Sequence, residues 1–377
     1  MRAAIRPLPK LGISANALKQ SGGLERYAMD LVRGLNTAGF TGERKPVFFA
    51  RKIDTSQPES AMVTAHKINV SFLPSKLRDT YFNWAVKRAR KKARVDVLIG
   101  CNRVESSEIA ICGGTHIGFL AATGRGERRS DTRQIEIERL QYRQAAVIVA
   151  HSEMMRDELR KLYNVPDSKI RVLCPPVDDT RFSPVSAAKR AELRKQFGFA
   201  EHETVLLFPS SSHERKGLPL IEAALRDSGL PVVIAVAGRP PARGSDRLRY
   251  IGYAKNIEDA YRAADFTILA SSYEPFGLVG IESVMCGTPV IFPASIGCIS
   301  AIADRAKFTF QPGNADDLRR TVQSALDSRP ENLGAESILY NTSIDAHIEA
   351  LLELAAGIRN SNSPNNPISA AGSTAPA

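Results

Sequence analysis

Short β-rich apolar runs alternate with amphipathic segments twice along this chain, once on each side of a stretch that resembles neither. In the first half, 46-PVFFA-50, 96-DVLIG-100, 108-EIAIC-112, 145-AAVIVA-150 and 170-IRVLC-174 read as strands. Between them lie helical patterns such as 24-LERYAMDLVRGLN-36, where Leu24, Tyr27, Ala28, Leu31 and Leu35 recur at helical spacing, and 153-EMMRDELRKLY-163. The segment 175-PPVDDTRFSP-184, rich in proline and aspartate, reads as a hinge. The alternation then restarts, with strands at 204–209, 231–237, 248–252, 266–270, 289–293 and 307–310 and helices at 217–228, 256–264, 278–286 and 314–327. Strands alternating with helices imply parallel sheets covered on both faces. The expected class is therefore α/β, with two doubly wound parallel-sheet domains, 1–180 and 181–342, facing a cleft. A last helical pattern at 343–358 closes the ordered part and is free to pack back on the first domain; 359–377, small, polar and proline-rich, is expected to stay disordered.

Length and composition agree with two domains. At 377 residues, 43% hydrophobic and 24% charged, the chain is too long for one ordinary core and too apolar to be wholly disordered. Its longest apolar stretches, such as 231-PVVIAVAG-238, fall far short of the ~20 residues a membrane span needs. The opening residues MRAAIRPLPKLGIS carry prolines where a signal peptide would have an apolar run, so a cytoplasmic location is expected. Five scattered cysteines form no CxxC pair and six histidines no HxxxH spacing, which argues against a disulfide framework and a structural zinc site; no metal site is expected.

The net charge of +11 favours anionic partners. Between Lys76 and Arg94, eight basic residues face one acid, Asp79. Leu77, Tyr81 and Trp84 or Ala85 would share one helical face, which is either an interfacial surface lying on anionic lipid or simply the side turned to the core. A second cluster, 125-RGERRSDTR-133, reads as a loop that could meet an anionic substrate.

The most informative stretch is 271-SSYEPFGLVGIESVMCGTPVI-291. It leaves an apolar strand, turns through Glu274-Pro275-Phe276-Gly277 and enters a helix near Leu278, whose free N–H groups and partial positive charge form an anion site. Glu274 stands just before that helix and Glu282 about one turn inside it. Two carboxylates flanking an anion site suit hydroxyls on either side of a phosphate, as in a diphosphate with a sugar at one end and a ribose at the other. The E-P-F-G-L-x-x-x-E string resembles the donor motif of the retaining glycosyltransferases of family 4, which have the GT-B fold of two Rossmann-like domains. That resemblance implies that Glu274 contacts the transferred sugar, that backbone around Phe276, Gly277, Leu278 and Val279 holds sugar or phosphate, and that Glu282 takes the ribose hydroxyls.

Other segments match in order. The turn 213-HERKG-217 resembles the family's basic diphosphate-binding turn, with Arg215 and Lys216 neutralising the leaving nucleotide. It departs from the commoner pattern, in which an arginine sits several residues ahead of the lysine, and is closer to lipopolysaccharide-core hexosyltransferases. Gly22 and Gly23 look like the family's Gly-Gly loop over the donor phosphate. His116, after Gly113-Gly114-Thr115, lies where similar enzymes place a histidine near the transferred sugar. Tyr253 and Ile257 border the expected position of the base, and Ser152 reads as a helix N-cap.

The resemblance implies a metal-independent retaining hexosyltransferase, with His116, Glu274, Arg215 and Lys216 at the reacting centre. The donor would be a UDP- or GDP-linked sugar, with no separate cofactor. The acceptor would be a saccharide or lipid-linked saccharide, in bacterial lipopolysaccharide or surface polysaccharide synthesis, with peripheral contact to the cytoplasmic face of the inner membrane through 76–94. The rival readings are a nucleotide-sugar epimerase of similar architecture and a basic nucleic-acid-binding protein with a degenerate core; no nucleic acid is expected on the favoured reading.

Overall fold

The computed structural model describes residues 9–19, 22–242, 246–328 and 330–361. The opening residues and the body of the expected tail, 362–377, lie outside the described residues. Two all-parallel sheets organise the molecule. The first contains β1 (Leu11–Ser14), β2 (Val47–Ala50), β3 (Thr64–Lys67), β4 (Val97–Gly100), β5 (Ile109–Cys112), β6 (Val147–Ala150) and β7 (Ile170–Val172), in spatial order β3-β2-β1-β4-β5-β6-β7. The second contains β8 (Thr204–Ser210), β9 (Val232–Gly238), β10 (Leu248–Tyr250), β11 (Phe266–Ile268), β12 (Val290–Pro293) and β13 (Lys307–Phe310), in order β10-β9-β8-β11-β12-β13. Both orders turn back at the first strand, the doubly wound arrangement whose switch point opens a crevice at the carboxyl ends of the strands. Central strands are buried along their whole length, as in Val47–Ala50 and Val97–Gly100, because helices cover both faces.

In the first half those helices are α1 (Gly23–Thr37), α2 (Ser75–Lys92), α3 (His116–Thr123), α4 (Arg129–Gln144) and α5 (Glu153–Tyr163). In the second they are α6 (Ala187–Gln196), α7 (His213–Lys216), α8 (Leu218–Leu225), α9 (Ile257–Ala263), α10 (Leu278–Met285) and α11 (Ala315–Ser328). The cluster 125–133 is not the loop that its charge implies: α4 begins at Arg129. The Asp131 carboxylate accepts the Arg128 amide at 2.8 Å and so caps the helix start.

A final helix, α12 (Ile344–Ser361), runs three residues into the segment expected to be tail. It lies on the first sheet's core, where Ile348, Leu351, Ala355 and Ile358 join Ala28, Leu31 and Leu35 of α1. A Cβ at Gly34 would sit 2.6 Å from Ile348 Cγ1, so the two helices touch backbone to side chain. The chain thus crosses between the halves twice, and the crossings are tied together. Val177 N donates to Thr342 O (2.9 Å), Tyr340 Oη to Pro175 O (2.9 Å), and His347 Nδ1 lies 3.1 Å from Cys174 O. Because a carbonyl only accepts, Nδ1 carries the proton, and Nε2 accepts the Tyr27 hydroxyl at 2.8 Å.

Helix α2 turns Phe82, Asn83 and Val86 to the core. The face read from the sequence is divided: Tyr81 and Ala85 pack against that core, whereas Leu77 and Trp84 are 48% and 52% exposed, and neighbouring Phe72 is 63% exposed. No described helix is long and apolar enough to cross a membrane.

Candidate active site

The carboxyl ends of the two sheets meet around the loop 271–277. Gly277 makes that loop possible: at φ +88° it takes the left-handed conformation, and an added Cβ would stand 3.0 Å from Ile296 Cγ2 and 3.1 Å from Glu274 Cγ. It is also the N-cap of α10 and supplies no side chain, so the helix start keeps its N–H groups and roughly half a positive charge for a ligand.

Glu274 is bound to both basic residues of the 213–217 turn. Lys216 Nζ lies 2.5 Å and Arg215 Nη1 3.4 Å from Glu274 Oε2. Lys216 is buried, whereas the Arg215 side chain is 41% exposed. The short α7 and the following Gly217 place this pair; at φ +81°, a Cβ on Gly217 would lie 2.1 Å from Ala270 O. Cation and carboxylate satisfy each other here, and a ligand with both a phosphate and hydroxyls could engage the two separately.

Glu282, one turn into α10, is buried. Its Oε2 accepts the Tyr261 hydroxyl at 3.2 Å. Its Oε1 forms an ion pair with Arg26 Nη1 at 2.9 Å. Arg26 projects from the first turn of α1, directly after Gly22 and Gly23, so the ion pair joins the two halves. Among the described residues, a Cβ on Gly23 would meet nothing within 4 Å, which leaves space beside the helix start.

A polar latch closes the other side of the loop. The Tyr273 hydroxyl accepts the Thr115 amide at 2.9 Å and donates to Glu158 Oε2 at 2.9 Å, while Thr115 Oγ1 also donates to Glu158. Burial pushes the Glu158 carboxyl above its usual range, partly offset by these hydroxyl donors. Ser152 Oγ donates to Pro275 O (2.7 Å) while capping α5 through the Met155 amide (3.1 Å).

His116 opens α3 beside this latch. Its Nε2 lies 2.8 Å from Asp131 Oδ1, and its amide donates to Glu138 Oε2 at 2.9 Å. Since the carboxylate accepts, Nε2 carries a proton and Nδ1 is the ring nitrogen left for a ligand. Hydrogen bonds from His116 and Arg125 hold the Asp131 carboxyl well below its ordinary range.

Of the residues singled out in the sequence, the structure brings Glu274, Arg215 and Lys216 into direct contact and sets Phe276, Gly277, Leu278, Val279 and Glu282 on the same loop and helix. Gly22 and Gly23 reach them through Arg26. Tyr253 is 83% exposed on the loop after β10, and Ile257 opens α9 and packs against the second domain's core, as Leu278 and Val279 do. Sequence reasoning missed Arg26, Tyr273 and Glu158. Tyr273 adjoins Glu274 and could have been found by position; Arg26 and Glu158 carry no local signal. Among the described residues, no three His, Cys, Asp or Glu side chains converge as metal ligands would.

Comparison with known proteins places this geometry among enzymes. Residues 21–181 match the family model described as Glycosyltransferase Family 4, and residues 189–337 that of Glycosyl transferases group 1. A protein of Burkholderia thailandensis named as a probable transglycosylase is 61% identical over 354 residues, covering 92% of this chain and 96% of its own. The solved structure of WaaG, a glycosyltransferase involved in lipopolysaccharide biosynthesis, superposes with a TM-score of 0.72 at 16% identity, over 94% of this chain and 100% of that one. Anabaena HepE, solved with UDP and glucose, does so with a TM-score of 0.67 at 14% identity, over the same shares.

Proposed function

This chain belongs to the GT-B glycosyltransferases that combine a Glycosyltransferase Family 4 domain with a Glycosyl transferases group 1 domain, and from that premise we propose that it is a retaining hexosyltransferase using a nucleoside-diphosphate sugar. The observation that carries this reading is the buried Glu282 carboxylate, one turn inside an uncapped helix start, whose Oε1 is held by the partly exposed Arg26 guanidinium. Ribose hydroxyls would take that oxygen in its place. The diphosphate would lie at the start of α10, where Arg215 and Lys216 could turn from Glu274 to its charge, and the freed Glu274 would accept hydroxyls of the transferred sugar. Preorganised cations at a leaving phosphate stabilise the charge that develops as it departs, with effects of order a hundredfold or more per donor. In this scheme the acceptor hydroxyl attacks from the face the diphosphate leaves, no metal is required for charge compensation, and His116, its ring fixed by Asp131, offers Nδ1 to a sugar hydroxyl. A transfer from one glycoside to another would have no use for the Arg215–Lys216 pair.

The first domain, 1–180, would read the acceptor and 181–342 the donor. The likeness to WaaG supports a saccharide or lipid-linked saccharide acceptor in bacterial surface-polysaccharide synthesis. The exposed Phe72, Leu77 and Trp84, together with Lys76, Lys87, Arg88 and Lys91 on α2, support peripheral contact with an anionic membrane at its cytoplasmic face.

Binding of UDP, GDP, ADP and NAD to the wild type and to Glu282→Ala, with chelator present, tests the reading. The expected result is selective binding of one nucleoside diphosphate, weakened at least tenfold (about 1.4 kcal/mol) by the substitution. Binding of none of them, or an unchanged affinity in Glu282→Ala, would overturn the donor site.

A further inference from the structure

A buried carboxylate needs a counter-charge, and Glu282 receives it from the other domain. The partner is open to solvent where Glu282 is not. The Arg26 side chain is 39% exposed against 5% for Glu282, whose second oxygen is fixed by Tyr261. The guanidinium reaches Oε1 at 2.9 Å from a side chain open to solvent. A vicinal diol that donates to Oε1 must take the place the guanidinium occupies. The same ligand brings its own anion to the start of α10, about one helical turn or ~6 Å away, beside the space next to Gly23. A long flexible cation displaced from one carboxylate would meet the diphosphate within its reach.

We propose that Arg26 is a placeholder for the donor: it holds Glu282 and is displaced onto the diphosphate when the ribose arrives. This rests on Glu282 as the ribose-binding residue. It makes Arg26 a donor-binding residue contributed by the first domain, and makes nucleoside and phosphate recognition interdependent. The nucleoside half works against Arg26, and the phosphate half recovers the interaction. The same ion pair kept only as a clamp between domains would couple neither.

The experiment measures binding of the preferred nucleoside diphosphate, UDP or GDP, and of its parent nucleoside, uridine or guanosine, to the wild type, Arg26→Met and Arg26→Lys. Arg26→Met keeps the stem and removes the charge. It is expected to bind the nucleoside as well as or better than the wild type and the diphosphate at least tenfold more weakly, so that the advantage of diphosphate over nucleoside shrinks tenfold or more. Arg26→Lys, which retains the charge and guards against a folding defect in the methionine variant, is expected to recover part of that advantage. Equal shifts for both ligands, or none, would show a structural clamp and overturn the proposal. Those outcomes leave the donor site standing if Glu282→Ala still weakens diphosphate binding; a wild type that binds no nucleoside diphosphate removes both.

Discussion

Replacing Tyr273 by phenylalanine takes one oxygen from the junction of the two domains and nothing from its packing, since the ring remains edge-on to Phe119 at 6.1 Å between centroids. Its two shortest hydrogen bonds go with it, together with the longer contact to Thr115 O at 3.2 Å that shares its proton. The Thr115 amide, donating at 2.9 Å in a buried setting, would be left without an acceptor, at a cost of about 1–3 kcal/mol. The Glu158 carboxylate would lose a donor at 2.9 Å but keep Thr115 Oγ1. A charge-assisted bond contributes about 1.5–3 kcal/mol, and the low end applies because Glu158 is not fully buried and can take up water. The sum, about 2.5–4.5 kcal/mol, falls on the closed arrangement alone, because all these groups are hydrated once the domains part. At about 1.4 kcal/mol per tenfold, the ratio of closed to open molecules should drop roughly sixtyfold to a thousandfold. Small-angle scattering should show a larger radius of gyration for Tyr273→Phe, and hydrogen exchange should accelerate in the peptide containing Thr115. A scattering profile and a Thr115 exchange rate equal to those of the wild type would refute the latch.

Two further expectations concern pH and lipid. Burial lowers His151 to about 3, with His347 adding to the effect, and burial lowers His347 itself to about 4, against an ordinary value near ~6.5. Between these values the unfolded chain binds protons that the folded one does not, so stability should fall as pH drops from about 6.5 toward 4, by about 1.4 kcal/mol per unit for each histidine. Thermal unfolding across that range should show a gentler slope in His347→Gln, and an unchanged slope would dismiss the assignment. Sedimentation with phosphatidylglycerol-containing vesicles should deplete the protein from solution, in a salt-sensitive way and at least tenfold less for Leu77→Ser with Trp84→Ser. Equal binding to uncharged vesicles would reject the membrane-facing role of α2.

The alternation of apolar runs with helices was enough to read the two-sheet architecture, because strands buried on both faces must be apolar throughout. Two strands escaped that reading: Thr64–Lys67, an edge strand of mostly exposed residues, has no apolar run, and the buried Leu11–Ser14 is too short a run, broken by Gly12, to stand out. Helix α4 was hidden for the converse reason. It buries Glu138 and Gln141, whose partners are polar groups of other elements, so its inward face does not look apolar. At the site, the string from Glu274 to Glu282 was legible because a strand, a glycine turn and a helix start are local. Arg26 and Glu158 act across the domain boundary, and what they touch depends on how two independently patterned halves dock. The face of α2 was ambiguous in sequence for the same reason, until Phe82 and Val86 settled which side meets the sheet.

The return of α12 onto α1 also bears on the order in which this protein is made. The second sheet and its helices are encoded entirely between the two crossings, so that unit is nested within the first rather than following it. As the chain emerges from the ribosome, the nested unit has all of its strands by Phe310, while the outer one still lacks Ile348, Leu351, Ala355 and Ile358 from its core. The half that begins first is completed last, and until then the part of α1 around Gly34 that meets α12 has no permanent cover.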